Sequence, residues 1–303
     1  MELVKIKERI SENLDTLKQF TATPGNGCTR LPFTKEARDA VNYLKTVMEE
    51  AGLEVWEDAA GNVLGVLKGE DENAPCVMMG SHYDSVTNGG DYDGIAGAVC
   101  AIEVARQLKD RGITPKRNFV AVGFCDEEGL RFGTGYFGSG AMLGNRDVAY
   151  CKNFKDTNGI SIYDAMKSYG LDPEKIEDAK WPEGSIGEFL ELHIEQGPVL
   201  DAEKIQLGLV DCIVGIQRYM VTVHGRADHA GTTPMDMRLD AVDAATKVIS
   251  KIPDWAREKG AGTVATTGYI KTTPGGMNIV AEKVEFTVDI RSINNDYIND
   301  ITA

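Results

Sequence analysis

Two N-terminal stretches, residues 3–20 and 35–52, place apolar residues at helical spacing and predict two amphipathic helices. Gly52 stands where the second helix should end, because glycine tolerates the left-handed backbone of a helix C-terminus. Residues 53–67 consist of two strand-like runs around an Ala-Gly-Asn turn, and they predict a β-hairpin.

Three continuous apolar runs follow, at residues 76–79, 118–124 and 189–193. Each is typical of a strand that is buried on both faces. A helical pattern over residues 96–109 separates the first two runs. Strands that alternate with helices predict an α/β fold with a largely parallel sheet.

The pattern changes in the last third of the chain. It consists of three alternating runs and one helical run, at residues 218–224, 263–270, 283–290 and 237–251. This β-α-β-β order predicts a small α+β sandwich whose sheet leaves one face open. Another helix is expected to begin near Asn294. We therefore predict two domains, residues 1–211 and 212–303.

The chain has 303 residues and a formal net charge of −15 at pH 7. This acidic balance argues against binding to nucleic acids or membrane surfaces, and no apolar run is long enough to span a bilayer. The charged, amphipathic N-terminus does not resemble a signal peptide. The six cysteines are scattered and form no CxxC pair, which indicates reduced thiols and a cytoplasmic protein.

Histidines and carboxylates follow the predicted strands of the first domain. His82 follows the first apolar run, and His193 ends the third. Glu127 and Glu128 follow the second run. Because ligands gather at the carboxyl ends of strands in such sheets, we expect these groups to converge. Asp93 lies in a glycine-rich loop that lets the backbone bend tightly. Nitrogen and oxygen ligands of this type suit zinc, manganese or cobalt.

A site with two divalent metal ions gives each of these residues an expected role. The candidate ligands are His82, Asp93, Glu128 and His193. Asp93 is the candidate bridge between the ions, with both histidines on one ion and Glu128 on the other. Glu127 cannot easily bind the same metal as its neighbour if their side chains diverge, and it is the candidate general base. Asp84 is placed to orient a histidine ligand.

Taken one at a time, these motifs have ordinary structural explanations. A His-x-Asp triplet is more often a surface or capping pair, and a Glu-Glu pair usually lies on a solvated face. Glycine-rich loops are usually turns, and these lack the pattern of a phosphate-binding loop. Cys125 is close in sequence to the two glutamates and could be a ligand, but a buried residue in the wall of the site is the better interpretation. The shared position at three strand ends is what favours the metal site.

A second group of polar residues lies in the C-terminal domain, at His229, Asn278 and Arg291. An arginine offers a fork for a carboxylate, and histidine and asparagine can donate to a carbonyl. Composition alone favours a plain structural role for all three, as a helix cap, a turn residue and a surface cation.

Five motifs of this chain resemble those of the amidase/hydantoinase/carbamoylase family, which belongs to the wider superfamily of di-metal aminoacylases and carboxypeptidases. The motifs are Gly80-Ser81-His82-Tyr83-Asp84-Ser85-Val86, Asn88-Gly89-Gly90-Asp91-Tyr92-Asp93-Gly94, Glu127-Glu128-Gly129-x-Arg131-Phe132, His193-Ile194-Glu195-Gln196-Gly197-Pro198 and His229-Ala230-Gly231-Thr232-Thr233-Pro234-Met235. The resemblance covers essentially the whole chain, and the His-Ile-Glu-Gln-Gly block is specific to this branch.

The resemblance implies hydrolysis of a carbamoyl (ureido) C–N bond in a small substrate that carries a carboxylate, with release of ammonia and carbon dioxide. The candidate activities are N-carbamoyl-L-amino-acid hydrolase, allantoate amidohydrolase and β-ureidopropionase. The segments at residues 274–278 and 289–291 favour the first. The resemblance also implies substrate-binding roles for four residues, Gln196, His229, Asn278 and Arg291. It implies a homodimer in which His229 reaches the active site of the other subunit.

In the family, a further catalytic segment with another histidine ligand follows the second, lid-like domain, whereas no histidine follows His229 here. We therefore expect a chain that lacks the C-terminal part of the family fold and has an incomplete lid domain. Two alternatives stay open on the same scaffold. One is an exopeptidase or N-acyl amino-acid deacylase, and the other is a non-catalytic binding or dimerisation module.

Overall fold

The computed structural model describes residues 2–260 and 262–303, with the backbone alone for Glu2. The chain divides into two compact units, of which the first ends at Pro198 and the second begins at Val199. This division lies before the predicted boundary at residue 211, because a short helix and the irregular segment after it group with the second unit.

The first unit contains helices and strands in mixed order. They are α1 (Glu2–Leu17), α2 (Lys35–Glu50), β1 (Glu54–Glu57), β2 (Val63–Leu67), β3 (Cys76–His82), α3 (Ile95–Asp110), β4 (Phe119–Phe124), α4 (Phe137–Met142), α5 (Val148–Asn153), α6 (Ile162–Tyr169), a 3-10 helix (Pro173–Ala179) and β5 (Ile186–Leu190). The two predicted N-terminal helices and the hairpin are confirmed. Thr34 caps α2 by accepting from the backbone N–H of Ala37, and Gly52 follows its end with a φ of 82°.

The sheet of the first unit has the strand order β1-β2-β4-β3-β5. β3 pairs in parallel with β4 and β5, whereas β2 pairs antiparallel with β1 and β4. The predicted α/β class is therefore confirmed, with a parallel centre and an antiparallel hairpin at one side. His82 lies opposite Phe124 in the β3–β4 register, so both strands end at the same edge of the sheet.

Both faces of this sheet are covered. The larger core joins α2 and α3 to one face through buried side chains such as Leu44 and Ile102. Burial of a side chain of this size stabilises the fold by about 1.5–3 kcal/mol. The opposite face carries a smaller cluster that includes Met78 and Met142, with Trp181 packed against it. The edge that bears His82 is thus held by a rigid, two-sided core.

β5 differs from its prediction. The structure ends this strand at Leu190, so His193 lies in irregular backbone beyond it. Most of the strand is exposed, with Phe189 at 46%. The prediction of a buried strand reaching His193 is therefore wrong both in where the strand ends and in its burial. The physical reason is that β5 pairs only with β3 within the described residues and forms an edge of the sheet.

The second unit is an antiparallel sheet with helices. Its elements are α7 (Val199–Glu203), β6 (Gly215–His224), a 3-10 helix (Met235–Met237), α8 (Ala241–Ile249), α9 (Ile252–Lys259), β7 (Thr263–Thr266), β8 (Ile270–Thr273), β9 (Lys283–Ser292) and α10 (Asn295–Thr302). β9 pairs antiparallel with β6, β7 and β8. Its side chains alternate strictly between buried and partly exposed positions, as expected for a sheet with one open face.

Several boundaries in the second unit correct the sequence predictions. The predicted strand over residues 263–270 is two strands, because β7 ends at Thr266 and β8 begins at Ile270. The predicted helix over residues 237–251 begins only after Asp240, whose side chain accepts two backbone N–H groups. Arg291 lies inside β9 and not after it. The predicted start of α10 is confirmed, with Asn294 as its cap.

None of the helices in residues 2–260 and 262–303 combines the length and apolarity that crossing a membrane requires.

Candidate metal centre

Two histidines of the first unit turn the same ring nitrogen towards Asp93. The Nδ1 atom of His82 lies 3.0 Å from the carbonyl oxygen of Asp84, and the Nδ1 atom of His193 lies 2.9 Å from that of Ile194. Because a carbonyl only accepts, each Nδ1 carries the proton and each Nε2 keeps its lone pair. These Nε2 atoms lie 3.8 Å and 3.1 Å from the Oδ1 atom of Asp93.

Asp93 presents a carboxylate oxygen that lacks a donor. Its Oδ1 atom is buried and accepts no hydrogen bond from any described residue, whereas its Oδ2 atom accepts from the side chain of Gln196 at 2.8 Å. A buried unpaired oxygen is costly unless a cation satisfies it. Gly94 permits this close approach, because a Cβ atom there would lie 2.4 Å from the ring of His82.

The spacing of these atoms fits a divalent ion. Ligands placed about 2.1 Å from a tetrahedral metal lie roughly 3.4 Å from one another. The donor atoms of His82, Asp93 and His193 all lie within 4.8 Å of one another, and the measured separations from Asp93 bracket the ideal value. Imidazole and carboxylate together suit zinc, manganese or cobalt. The three residues could therefore hold one such ion with small side-chain movements.

A second group of possible ligands shares His82 with the first. Donor atoms of His82, Glu127 and Glu128 also lie within 4.8 Å of one another, and the Oε2 atom of Glu127 is 4.0 Å from the Nε2 atom of His82. The side chains of Glu127 and Glu128 therefore do not diverge, because one oxygen of each lies in the same group. Within the described residues, the side chain common to both groups is His82, whereas Asp93 belongs to only one.

Asp84 has a wider role than the sequence predicted. Its backbone carbonyl holds the ring of His82, as described above. Its buried carboxylate also accepts the backbone N–H groups of Glu127 at 3.0 Å and of Glu128 at 3.2 Å. Asp84 therefore connects the end of β3 to the loop after β4, and it sets the position of both arms of the site.

The site concentrates negative charge in a partly buried place. Burial raises the pKa of Asp84, Glu127 and Glu128 above their ordinary values. Burial opposes the charged form of His82, but the nearby carboxylates of Asp84 and Glu127 outweigh it and raise the pKa of the ring. A bound cation would stabilise the ionised form of these carboxylates and lower their pKa. The electrostatics thus agree with the geometry.

Asn62 supports the loop that carries the two glutamates, a role that the sequence did not predict. The Oδ1 atom of Asn62, which is fully buried, accepts the backbone N–H of Cys125 at 2.9 Å, and its Nδ2 donates to the carbonyl of Gly138 at 3.1 Å. The sequence marked Asn62 only as part of a hairpin turn. Cys125 itself is buried and belongs to neither group of possible ligands, in agreement with its interpretation as a wall residue.

Gln196 adopts a positive φ of 56°, and so does Asp126 at 54°, directly before the two glutamates. Residues other than glycine seldom adopt this conformation, which costs about 1–3 kcal/mol and concentrates at functional sites. The strain is found on both sides of the candidate metal centre. Gln196 contacts Asp93 on one side, and Asp126 directly precedes the glutamates on the other.

The three polar residues of the second unit do not form one cluster. His229 pairs with Ile279 in an isolated β-bridge, and the carbonyl of Asn278 accepts the N–H of Ala230 at 3.0 Å. Arg291 lies near the other end of β9, and residues 283 to 291 of an extended strand span roughly 26 Å.

Arg291 also has a partner within the open face of its sheet. Its Nε atom donates to Asp289 at 2.8 Å, and Arg218 donates to the same carboxylate at 2.8 Å. His229 does not cap α8, because Asp240 does. The structure therefore brings His229 and Asn278 together but holds Arg291 in a separate place.

Known proteins similar to this chain identify its family. Residues 78–289 match the model of peptidase family M20/M25/M40. The chain is 41% identical to an N-carbamoyl-L-amino-acid amidohydrolase of Paenarthrobacter aurescens over 285 residues, which cover 94% of this chain and 69% of the relative. It is 38% identical to an allantoate amidohydrolase of Bacillus subtilis over 288 residues, covering 95% and 69%.

A solved structure of a hydantoinase/carbamoylase family amidase from Burkholderia ambifaria superposes with a TM-score of 0.87 at 31% identity. The match covers 97% of this chain and 72% of that one. The chain therefore belongs to peptidase family M20/M25/M40 and, within it, to the hydantoinase/carbamoylase amidases, which are metal-dependent enzymes that hydrolyse C–N bonds.

Proposed function

We propose that this protein hydrolyses the carbamoyl C–N bond of N-carbamoyl-L-amino acids. The observation that carries the proposal is the unpaired Oδ1 atom of Asp93 facing the Nε2 atoms of both histidines, with the carboxylate of Glu127 beside them. The relatives with 41% identity bear the name of this activity, and those named for allantoate have up to 38%. Allantoate amidohydrolase is therefore the second candidate.

The proposed cofactors are two divalent ions held by four residues, His82, Asp93, Glu128 and His193. The first ion fits between the two histidines and the Oδ1 atom of Asp93. Glu128 would hold the second ion, and Asp93 is the proposed ligand that the two ions would share. Gln196, the fourth proposed substrate-binding residue, lies beside this ligand and donates to the Oδ2 atom of Asp93 at 2.8 Å.

The proposed mechanism uses Glu127 as the general base. When bound, the ions lower the pKa of water and polarise the carbamoyl carbonyl. Glu127 takes a proton from the attacking water and delivers it to the leaving nitrogen. A new C–O bond forms as the C–N bond to the amino acid breaks, which releases the free amino acid and carbamate. The carbamate then breaks its remaining C–N bond and gives ammonia and carbon dioxide. Asp84 keeps the backbone of Glu127 in place through the contact described above.

Three residues of the second unit are proposed to bind substrate in a homodimer. The guanidinium of Arg291 offers a fork for the substrate carboxylate, and His229 and Asn278 offer donors to its carbonyl. One unit presents these groups at two separate places, which supports the proposal that His229 serves the active site of the partner subunit.

Free cysteines throughout the chain support a reducing, cytoplasmic setting.

Complementation between subunits tests this arrangement. The single variants Glu127→Gln and His229→Ala are each expected to be inactive. A purified heterodimer with one copy of each contains one intact site and should recover about half of the wild-type activity, because a two-fold dimer has two sites. The control heterodimer pairs Glu127→Gln with His193→Ala, and it should stay inactive because both changes affect the site of their own subunit. Equal activity of the two heterodimers would contradict a shared site.

A substrate panel tests the proposed activity. With manganese or zinc added, we expect the highest kcat/KM for an N-carbamoyl-L-amino acid, measured as ammonia release for the ureido compounds and as release of free amino acid for the other substrates. The competitors are allantoate, β-ureidopropionate, N-acetyl amino acids and dipeptides. A preference for allantoate would replace the proposed substrate with the second candidate. Hydrolysis of acetyl amino acids or dipeptides in preference to all ureido compounds would overturn the carbamoyl assignment.

A further inference from the structure

Arg30 is a charged side chain at the centre of the first unit. It is 2% exposed and donates to three backbone carbonyls. Its Nε atom donates to Phe20 at 3.0 Å, its Nη1 to Tyr83 at 2.9 Å and its Nη2 to Leu17 at 2.5 Å. In the described part of the chain no ion pair joins it to a carboxylate, and its Nη2 atom also donates to the Sγ atom of Cys28 at 3.3 Å. The guanidinium is therefore balanced by main-chain dipoles.

Such a group is expensive to bury. Loss of hydration disfavours a cation in the interior, and burial lowers the pKa of Arg30 for this reason. One of its carbonyl partners, Leu17, is the last residue of α1, where the helix dipole favours a positive charge, and Phe20 follows three residues later. The third partner, Tyr83, has no part in α1. It stands between His82 and Asp84, which are both central to the candidate metal centre.

The segment that carries Arg30 also aligns the loop from β3 to α3. Cys28 and Gly89 exchange two backbone hydrogen bonds, of 2.9 Å and 2.7 Å. The carbonyl of Arg30 accepts the N–H of Ser85 at 3.0 Å, and the side chain of Ser85 donates to the carbonyl of Cys28 at 3.1 Å. This loop runs from one proposed ligand to the next. Its course is therefore set from one side by residues 28–30.

We propose that Arg30 is a positioning residue of the metal centre. Arg30 holds the carbonyl of Tyr83 and thereby fixes the backbone on either side of Tyr83. The ring of His82 and the carboxylate of Asp84 therefore keep their directions. The inference rests on the proposed function for the identity of the site. It adds a residue that touches neither ion nor substrate and acts through the main chain.

A purely structural role would also make Arg30 important for stability, so the test needs a matched control. Arg38 is a second partly buried arginine of the same unit, with a side-chain exposure of 27%. It donates to the carboxylate of Glu57 at 2.7 Å and to the carbonyl of Tyr169 at 3.1 Å. None of these partners is a proposed ligand. Arg38→Met therefore removes a comparable clamp at another place.

The experiment compares wild type with Arg30→Met, Arg30→Lys and Arg38→Met. Each protein is stripped with a chelator and titrated calorimetrically with Mn²⁺ and with Zn²⁺, at a temperature where circular dichroism shows it folded. Removal of groups that support metal ligands typically lowers metal affinity about 10- to 100-fold, and we expect this loss for Arg30→Met. Arg30→Lys should show part of it, because a compact ammonium cannot span three carbonyls. Arg38→Met should bind the ions as wild type does, whatever its Tm.

The outcomes separate the two proposals. If wild type and Arg38→Met bind metal and a folded Arg30 variant binds it equally well, the positioning role is wrong and the proposed function stands. If Arg30→Met does not fold, Arg30→Lys decides the question alone. If wild type binds neither ion, the metal centre is wrong and the role of Arg30 falls with it.

Discussion

Replacement of Glu127 by glutamine is expected to lower kcat for N-carbamoyl-L-amino-acid hydrolysis by about 10²- to 10⁴-fold, the usual contribution of a general base. Glutamine keeps the size of the side chain but cannot accept the proton of the attacking water. The oxygen of Glu127 that matters lies 4.0 Å from the Nε2 atom of His82, close to where the ions are proposed to bind. Steady-state kinetics with saturating metal measure the effect.

The matched control is Glu188→Gln. Glu188 lies on β5 in the same unit, with its side chain 54% exposed and paired with Arg117. Its variant should keep wild-type kcat, because its carboxylate faces solvent. Calorimetric titration should also show that Glu127→Gln still binds metal, since Glu127 is assigned to proton transfer. A Glu127→Gln enzyme that keeps more than about a tenth of wild-type kcat would rule out the proposed base.

Replacement of Asp93 by alanine should remove metal-dependent stabilisation altogether. In wild type, an ion present at 100 times its dissociation constant adds about 2.7 kcal/mol to the free energy of unfolding and raises Tm. Asp93→Ala deletes the oxygen that faces both histidines, so its Tm should not respond to Mn²⁺ or Zn²⁺ at the same concentration. We also expect kcat/KM to fall by at least about 10³-fold, because water activation depends on the ions.

Asp91→Ala is the control for Asp93→Ala. Asp91 lies two residues earlier in the same glycine-rich loop but belongs to neither group of possible ligands. Its variant should keep the metal-dependent rise in Tm. The metal-free forms of the two variants are expected to differ little in Tm, since Asp93→Ala removes an unpaired Oδ1 atom and one side-chain hydrogen bond, from Gln196 to Oδ2, within the described residues. A metal response of Asp93→Ala equal to that of Asp91→Ala would refute the assigned ligand.

The first two helices, the hairpin, α3, β3 and β4 follow from periodicity, because each buries a regular face and its pattern is local. The pattern did not reveal that β5 is an exposed edge strand, nor that residues 263–270 form two strands. An apolar run has the same appearance in a central strand and an edge strand, and only the pairing partners distinguish them.

For the site, the sequence by itself determined the kinds of ligand and their convergence. His82 and the two glutamates follow parallel neighbouring strands, and strands in this register end at the same edge. Tertiary structure decided the rest. It made His82 common to both groups of ligands, turned Asp84 into the support of both arms, and brought in Asn62 and Arg30. Asn62 and Arg30 contact main-chain atoms of segments that are distant in sequence. Because nearly every residue carries a backbone amide and a carbonyl, the sequence of the contacted segment does not reveal such a contact.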